Sequence, residues 1–209
     1  MIKREFYKNF KKELIKQGYK KGDTILLTCD LLKFLIYFRK KNQIFDVDKF
    51  LDIFIDIIGK NGTLILNAFN WDFCKGIDYN LKNSPAMTGA LSNFALKRKE
   101  FLRSQNPIYS FVSTGFHSKK ISKMKHKSCF GFQSPFGFMI DINAKNLFIN
   151  LDYKNSGFTF LHVAEEYQQI KYRTFKKFSG YIITGKIKKK ITTQMFVRDL
   201  KKKNKSKNT

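Results

Sequence analysis

Residues 22–66 read GDTILLTCDLLKFLIYFRKKNQIFDVDKFLDIFIDIIGKNGTLIL. Thr24–Leu27 is a short apolar run directly after Gly22-Asp23, the pattern of a buried strand. Val47, Phe50, Leu51, Phe54, Ile55 and Ile58 then recur at helical spacing, with Asp46, Asp48, Asp52 and Asp56 facing out. Acid near the start of that helix suits the positive end of its dipole. Gly59 is the expected C-cap and Asn61-Gly62 the turn. Thr63–Leu66 reads as a second buried strand. Upstream, Ile2, Phe6, Phe10 and Leu14 recur every fourth residue, an amphipathic opening helix that Gly18 ends. Helix, strand, helix, strand within 66 residues predicts an α/β class with parallel pairing.

The chain has 209 residues, of which 43% are hydrophobic and 16% aromatic. That is enough apolar material for a core, and it excludes a disordered chain, a coiled coil and a collagen-like repeat. No linker or repeat divides the sequence, so residues 1–200 are read as one domain. Residues 201–209, KKKNKSKNT, hold no apolar residue and are expected to be a disordered lysine-rich tail. Leu31–Phe38, interrupted by Lys33, is the longest apolar run and is too short to span a bilayer. The N-terminal residues lack the apolar core of a signal peptide. Cys29, Cys74 and Cys129 are too few for a disulfide framework, which fits a reducing, cytoplasmic compartment.

The formal net charge is +25, from 41 basic and 16 acidic residues. Nucleic acid is the first partner this suggests. Against it, only 6 of the basic residues are Arg, the side chain that grips phosphates and base edges in a fork. Lys, Asn, Ile, Phe and Tyr are abundant together, the mixture produced by AT-rich coding. The composition therefore disfavours nucleic acid as the partner.

Further along, Thr88–Arg98 is expected to be a helix with Thr88 as N-cap. Tyr109–Ser113 and Leu147–Leu151 read as strands and Ser118–Lys125 as a short basic helix. Thr159–Gln169 has helical spacing, and residues 181–197 read as two strands around Gly185. Among three histidines, His117 and His126 sit in a basic, polar stretch and read as surface residues. His162 is followed three residues later by Glu165 on one helix face, after a buried strand. A carboxylate so placed holds one imidazole nitrogen and leaves the other as a general base; the alternative is an ordinary surface pair. H-x-x-E supplies only two metal ligands and there is no C-x-x-C, so no metal is expected. Pairing of Cys29 with His162 stays open, though a cysteine at a strand end is usually structural. No phosphate-binding glycine motif is present. Polar loops at Arg103–Ser110 and Gly131–Phe136 are, by their residues alone, turns more often than sites.

Taken in order, these motifs resemble the aminoglycoside 3-N-acetyltransferase family. They are Gly22-Asp23 before a strand, Gly62-Thr63-Leu64, Thr88-Gly89-Ala90-Leu91, the Arg103-Ser104-x-x-Pro107-x-x-Ser110 loop, Ser134-Pro135-Phe136, and Thr159-x-x-His162-x-x-Glu165. The resemblance runs from about residue 12 to residue 200. It implies an α/β fold around a mixed central sheet flanked by helices, acetyl-CoA as co-substrate without a metal, and acetyl transfer to an amine of an aminoglycoside or amino sugar. It implies His162 as general base, Glu165 as its orienting carboxylate, and Thr159 at the substrate or oxyanion. Arg103, Ser104, Ser110 and Ser134 would meet the coenzyme's phosphates or its pantetheine arm. Thr28 and Cys29 stand where the family has a His-Ser-Ser-Leu loop lining the coenzyme. That loop is here Thr28-Cys29-Asp30-Leu31, and the family's Pro-Thr-Phe is Asn67-Ala68-Phe69. Family members are usually longer, so the chain reads as a truncated or frameshifted member lacking a C-terminal part. Scarce acid and a likeness of Trp71–Pro85 to surface-polysaccharide members favour an amino sugar over a polycationic antibiotic. A non-catalytic family member and a basic nucleic-acid-binding protein are the alternatives, and a homo-oligomer is left open.

Overall fold

The computed structural model describes residues 2–152 and 158–200. The expected tail, residues 201–209, lies outside the described residues. The chain opens with α1 (Ile2–Lys16), β1 (Thr24–Cys29), α2 (Leu32–Lys40), α3 (Val47–Ile58) and β2 (Thr63–Asn67). Asp46 caps α3 by accepting the Lys49 N–H at 3.0 Å. Gly59 ends it at φ 61°, its N–H donating to Ile55 O, as the sequence pattern predicts. There follow β3 (Tyr79–Asn80), α4 (Ala90–Ala95), β4 (Leu102–Arg103), β5 (Phe111–Gly115) and α5 (Ser118–Lys123). The last elements are α6 (Pro135–Asp141), β6 (Lys145–Ile149), α7 (Leu161–Tyr167), β7 (Arg173–Thr184) and β8 (Ile187–Arg198). No helix of the described residues is long and apolar enough to cross a membrane.

The central sheet has the order β4-β5-β2-β1-β6 and is mixed. β1 runs parallel to β2 and β6, while β5 is antiparallel to β2 and to β4. A second sheet, β3-β7-β8, is a long antiparallel hairpin with β3 added at one edge. Alternation along the strands splits the core in two. Ile25, Leu27, Leu64 and Leu66 face α1 and α3 and a cluster of phenylalanines. Leu26, Ile65 and Phe111 face the other way, toward α6, α7 and the hairpin. Gly115 closes the edge where β5 passes β2: its φ is 101°, and a Cβ there would stand 2.2 Å from Gly62 O. Only glycine tolerates both conditions.

Several expectations from sequence shift here. Thr88 is not an N-cap: its hydroxyl donates to Asn67 O at 2.5 Å and α4 begins two residues later, after Gly89. The strands expected at 109–113 and 147–151 each slide by two residues. The 181–197 hairpin extends back to Arg173. Two helices were not anticipated. In α2 only Phe38 is buried, while Leu32, Leu35 and Ile36 are exposed, so the apolar residues follow no inward stripe. In α6 every residue from Pro135 to Met139 is buried, which leaves no polar face to reveal a period.

Candidate active site

His162 lies in the first turn of α7, and its Nδ1 is 2.6 Å from Glu165 Oε2. The chain leaves α7 through Gln169, at φ 46°, and the turn is closed by Arg173 N–H donating to Ile170 O. This tight return brings the start of β7 back over Glu165. Tyr172 OH donates to Glu165 Oε1 at 2.8 Å, and Arg173 Nε lies 2.9 Å from Glu165 Oε2. Arg173 is itself held by Nη1 donating to Phe196 O at 2.8 Å. Both oxygens of a carboxylate that is only 8% exposed are therefore engaged.

Burial raises the Glu165 pKa, but the bonds from His162 and Tyr172 and the Arg173 charge outweigh it, and the carboxyl is held below its ordinary value. An ionised carboxylate only accepts, so the Nδ1 beside it carries a proton, and Nε2 is the nitrogen left to face a substrate. The ring packs against Phe130, centroids 4.9 Å apart and planes tilted by 55°, and its side chain is 28% exposed, so a substrate can reach it. The next residue behaves oppositely. Burial pushes the Glu166 carboxyl up, against a bond from Ser128 Oγ at 2.6 Å.

These shifts give a pH prediction. A lowered carboxylate contributes stability above its unfolded pKa and loses it as pH falls through the folded value. Unfolding free energy of the protein should therefore drop below the ordinary carboxylate range, near pH 4. Glu165→Gln should flatten that limb in urea titrations run at several pH values. An unchanged slope would show that Glu165 does not feel its neighbours. Glu166, with a raised value, has the opposite sign, so the difference between wild type and variant is the quantity to read.

Thr159 donates no recognisable signature by itself, but its position does. It lines a narrow cleft with Thr28, Asn67, Asn146, Phe136 and Phe160. Leu27 pairs with Leu66, so Thr28 and Asn67 stand side by side at the carboxyl ends of parallel strands. Asn67 Nδ2 donates to Thr28 Oγ1 at 3.0 Å. Asn67 Oδ1 and Asn146 Oδ1 are buried without a hydrogen-bond partner. The cleft measures about 10 Å³, room for about one water. Ligands of open α/β sheets gather at such strand ends.

The remaining candidates are scattered. Cys29, next to Thr28, packs on the opposite face with the α1–α3 core. Burial and then the Asp30 charge push its thiol up to about 12, so it is no nucleophile for His162. Arg103 is buried, and its guanidinium donates to Ser84 O, Ala68 O and Ser110 Oγ while lying over the Tyr79 ring. Ser104 Oγ accepts the Phe111 N–H, and Ser110 Oγ donates to Ala68 O. Arg103 and Ser110 tie this loop to Ala68, just past β2, and Ser104 ties it to Phe111 in β5, so none of the three faces solvent. Ser134 is fully buried beneath α6 with an unpartnered hydroxyl. His117 and His126 are half-buried rather than exposed: His117 packs on Phe116 and Phe138, and His126 Nδ1 meets Ser128 O at 2.7 Å. Among the described residues no three His, Cys, Asp or Glu side chains cluster as metal ligands.

Sequence reasoning missed Tyr172, Arg173, Asn67 and Asn146. Arg173 left one usable signal, since a buried carboxylate needs a cation and the chain has few arginines. The asparagines left none.

The aminoglycoside 3-N-acetyltransferase family profile matches residues 41–207. No curated protein matches the sequence. Solved structures do match. AAC-IIIb in binary complex with CoASH is 19% identical with a TM-score of 0.74, covering 91% of this chain and 75% of that chain. YokD from Bacillus subtilis is 22% identical with a TM-score of 0.73, covering 92% and 82%. Sisomicin-bound AAC-VIa is 16% identical with a TM-score of 0.74, covering 91% and 76%. At these identities the likeness establishes a shared fold.

Proposed function

The chain belongs to the aminoglycoside 3-N-acetyltransferase family, and from that premise we propose that it is an acetyl-CoA-dependent N-acetyltransferase acting on an amine of a sugar, with His162 as general base. The observation that carries this reading is the chain of contacts from Arg173 and Tyr172 through Glu165 to His162 Nδ1. An amine attacks a carbonyl only when neutral, so a base must take its proton. His162 Nε2 has the lone pair for that. The proton arriving on the ring places a positive charge beside Glu165, which offsets it. Glu165 is kept ionised and aimed by Tyr172 and Arg173, so the base is in place before the acceptor arrives.

Acetyl-CoA supplies the acetyl group as a thioester. The cleft lined by Thr28, Asn67, Asn146 and Thr159 has room for about one small polar group, which suits a single amide of its arm rather than the whole arm. Asn67 Oδ1 and Asn146 Oδ1 are buried acceptors without donors, a state that costs about 1–3 kcal/mol each and that amide N–H groups relieve. Thr28 and Thr159 line the same cleft. Ser134 Oγ is a further unpartnered group, whereas Arg103, Ser104 and Ser110 are committed internally.

The acceptor class follows from charge. Aminoglycosides are polycations, and a site for them needs carboxylates. With 41 basic and 16 acidic residues, and Glu165 already neutralised by Arg173, we favour an amino sugar that is neutral or anionic.

One observation favours a second reading, a family member that folds without turning over. Asp30 Oδ1 accepts the Leu32 N–H at 2.9 Å, so a carboxylate occupies the loop before α2 where the family lines its coenzyme. Calorimetric titration of acetyl-CoA, with release of free CoA thiol followed in the presence of glucosamine, separates the two. Binding with thiol release supports the acetyltransferase. Absence of binding overturns it and leaves the non-catalytic reading.

A further inference from the structure

A groove of about 280 Å³ runs under the outer half of the β7–β8 hairpin, near the small end of the ligand-pocket range. It is separate from the Thr28–Thr159 cleft and shares none of its lining residues. Ile182, Ile187 and Ile191 line its apolar side, and Lys125, His126 and Lys189 line its polar side; no Asp or Glu lines it. Hairpin register explains the choice of lysines. Lys189 pairs with Ile182, and Lys188 with Ile183, so the two lysines point to opposite faces. Lys188 on the outer face is neutralised by Asp78 at 2.8 Å. Lys189, on the groove face, is left for a ligand, as is Lys125. A cleft lined by one sign of charge, with an apolar wall at its back, concentrates counter-ions.

His126 adds a second kind of recognition. Its Nδ1 is taken by Ser128 O at 2.7 Å, so the other nitrogen is the one available. Burial lowers the ring's pKa, against the bond to Ser128, so at neutral pH that nitrogen is an acceptor suited to a hydroxyl. The geometry points to a binding site for a phosphate ester of a sugar or nucleoside: Lys125 and Lys189 take the phosphate, His126 takes a hydroxyl, and the isoleucines cover the apolar part. This site does not depend on the transfer reading.

Two sources present that chemistry, a nucleotide-bearing acceptor and the nucleotide end of the coenzyme. The test is calorimetric titration of UDP into the full chain, alone and with saturating acetyl-CoA. Lys125→Gln with Lys189→Gln is compared with Lys186→Gln with Lys190→Gln, which removes the same charge outside the groove. The expected result is UDP binding that weakens at least tenfold in the first double variant and less than twofold in the second. If acetyl-CoA displaces UDP, the groove serves the coenzyme; if both bind together, it serves a second phosphate ester. Equal effects of the two double variants would overturn the site, because net charge alone would then explain the binding. No UDP binding at millimolar concentration would overturn it as well. The readout is affinity, so failure of acetyl transfer and failure of this site are seen separately.

Discussion

Replacing His162, the proposed general base, with alanine is expected to lower the acetyl-transfer turnover number by about 10²–10⁴-fold, the usual worth of a positioned general base. Acetyl-CoA affinity should stay within a factor of two, because the ring is not needed to hold the coenzyme. The loss should shrink as pH rises and more acceptor amine is neutral without help. Glu165→Gln should give a smaller loss of turnover, since it removes the aim and charge of the base rather than the base. His162→Ala with full turnover would end the assignment. Equal losses of affinity and turnover would make His162 a binding residue instead.

Phe50→Ala is expected to destabilise the fold by about 3–5 kcal/mol. Phe50 is fully buried. Its ring lies 5.2 Å from Phe10, 5.4 Å from Phe34, 5.5 Å from Phe45 and 5.3 Å from Phe54. These rings join α1, α2 and α3, so a cavity there has contacts on every side and little freedom to collapse. In a domain of this size each kcal/mol shifts the melting temperature by roughly 2–4 °C. Ile44→Ala is the control: Ile44 is 82% exposed and should change stability by less than about 0.5 kcal/mol. A loss under 1 kcal/mol at Phe50 would show that the cluster is loosely packed.

The elements legible in sequence are those that bury one face. In α3, Phe50, Leu51, Phe54 and Ile58 are all buried, and their spacing is the helix period itself. β1 and β2 are short apolar runs between glycine turns, and their parallel pairing followed from the helix between them. Legibility failed where burial is not one-sided. α6 is buried from Pro135 through Met139 and α2 presents Leu32, Leu35 and Ile36 to solvent, so neither shows a stripe.

The site divides along the same line. His162 and Glu165 are one helix turn apart, so their contact is a local fact and was readable. Thr28 and Cys29 were both candidates; strand alternation requires that they face opposite sides, but nothing local says which side carries the cleft. Arg103, Ser104 and Ser110 are candidates for the coenzyme's phosphates or pantetheine arm by sequence, where their polarity is visible and their burial is not. The tertiary fold gave each an internal partner, such as Ala68 O for Arg103 and Ser110.

By itself, then, the sequence determined the α/β class, the places of α1, β1, α3 and β2, the family and the His162–Glu165 pair. All of these rest on spacings of a few residues or on motifs in order. Only the tertiary structure decided the rest: that Arg173 and Tyr172 return to Glu165, that Asn67 meets Thr28 across 39 residues, and that Lys189 faces a groove while Lys188 faces Asp78. Such contacts depend on strand register and on which face is covered. A chain of residues carries no local signal of either until the sheet has paired and its two cores have closed.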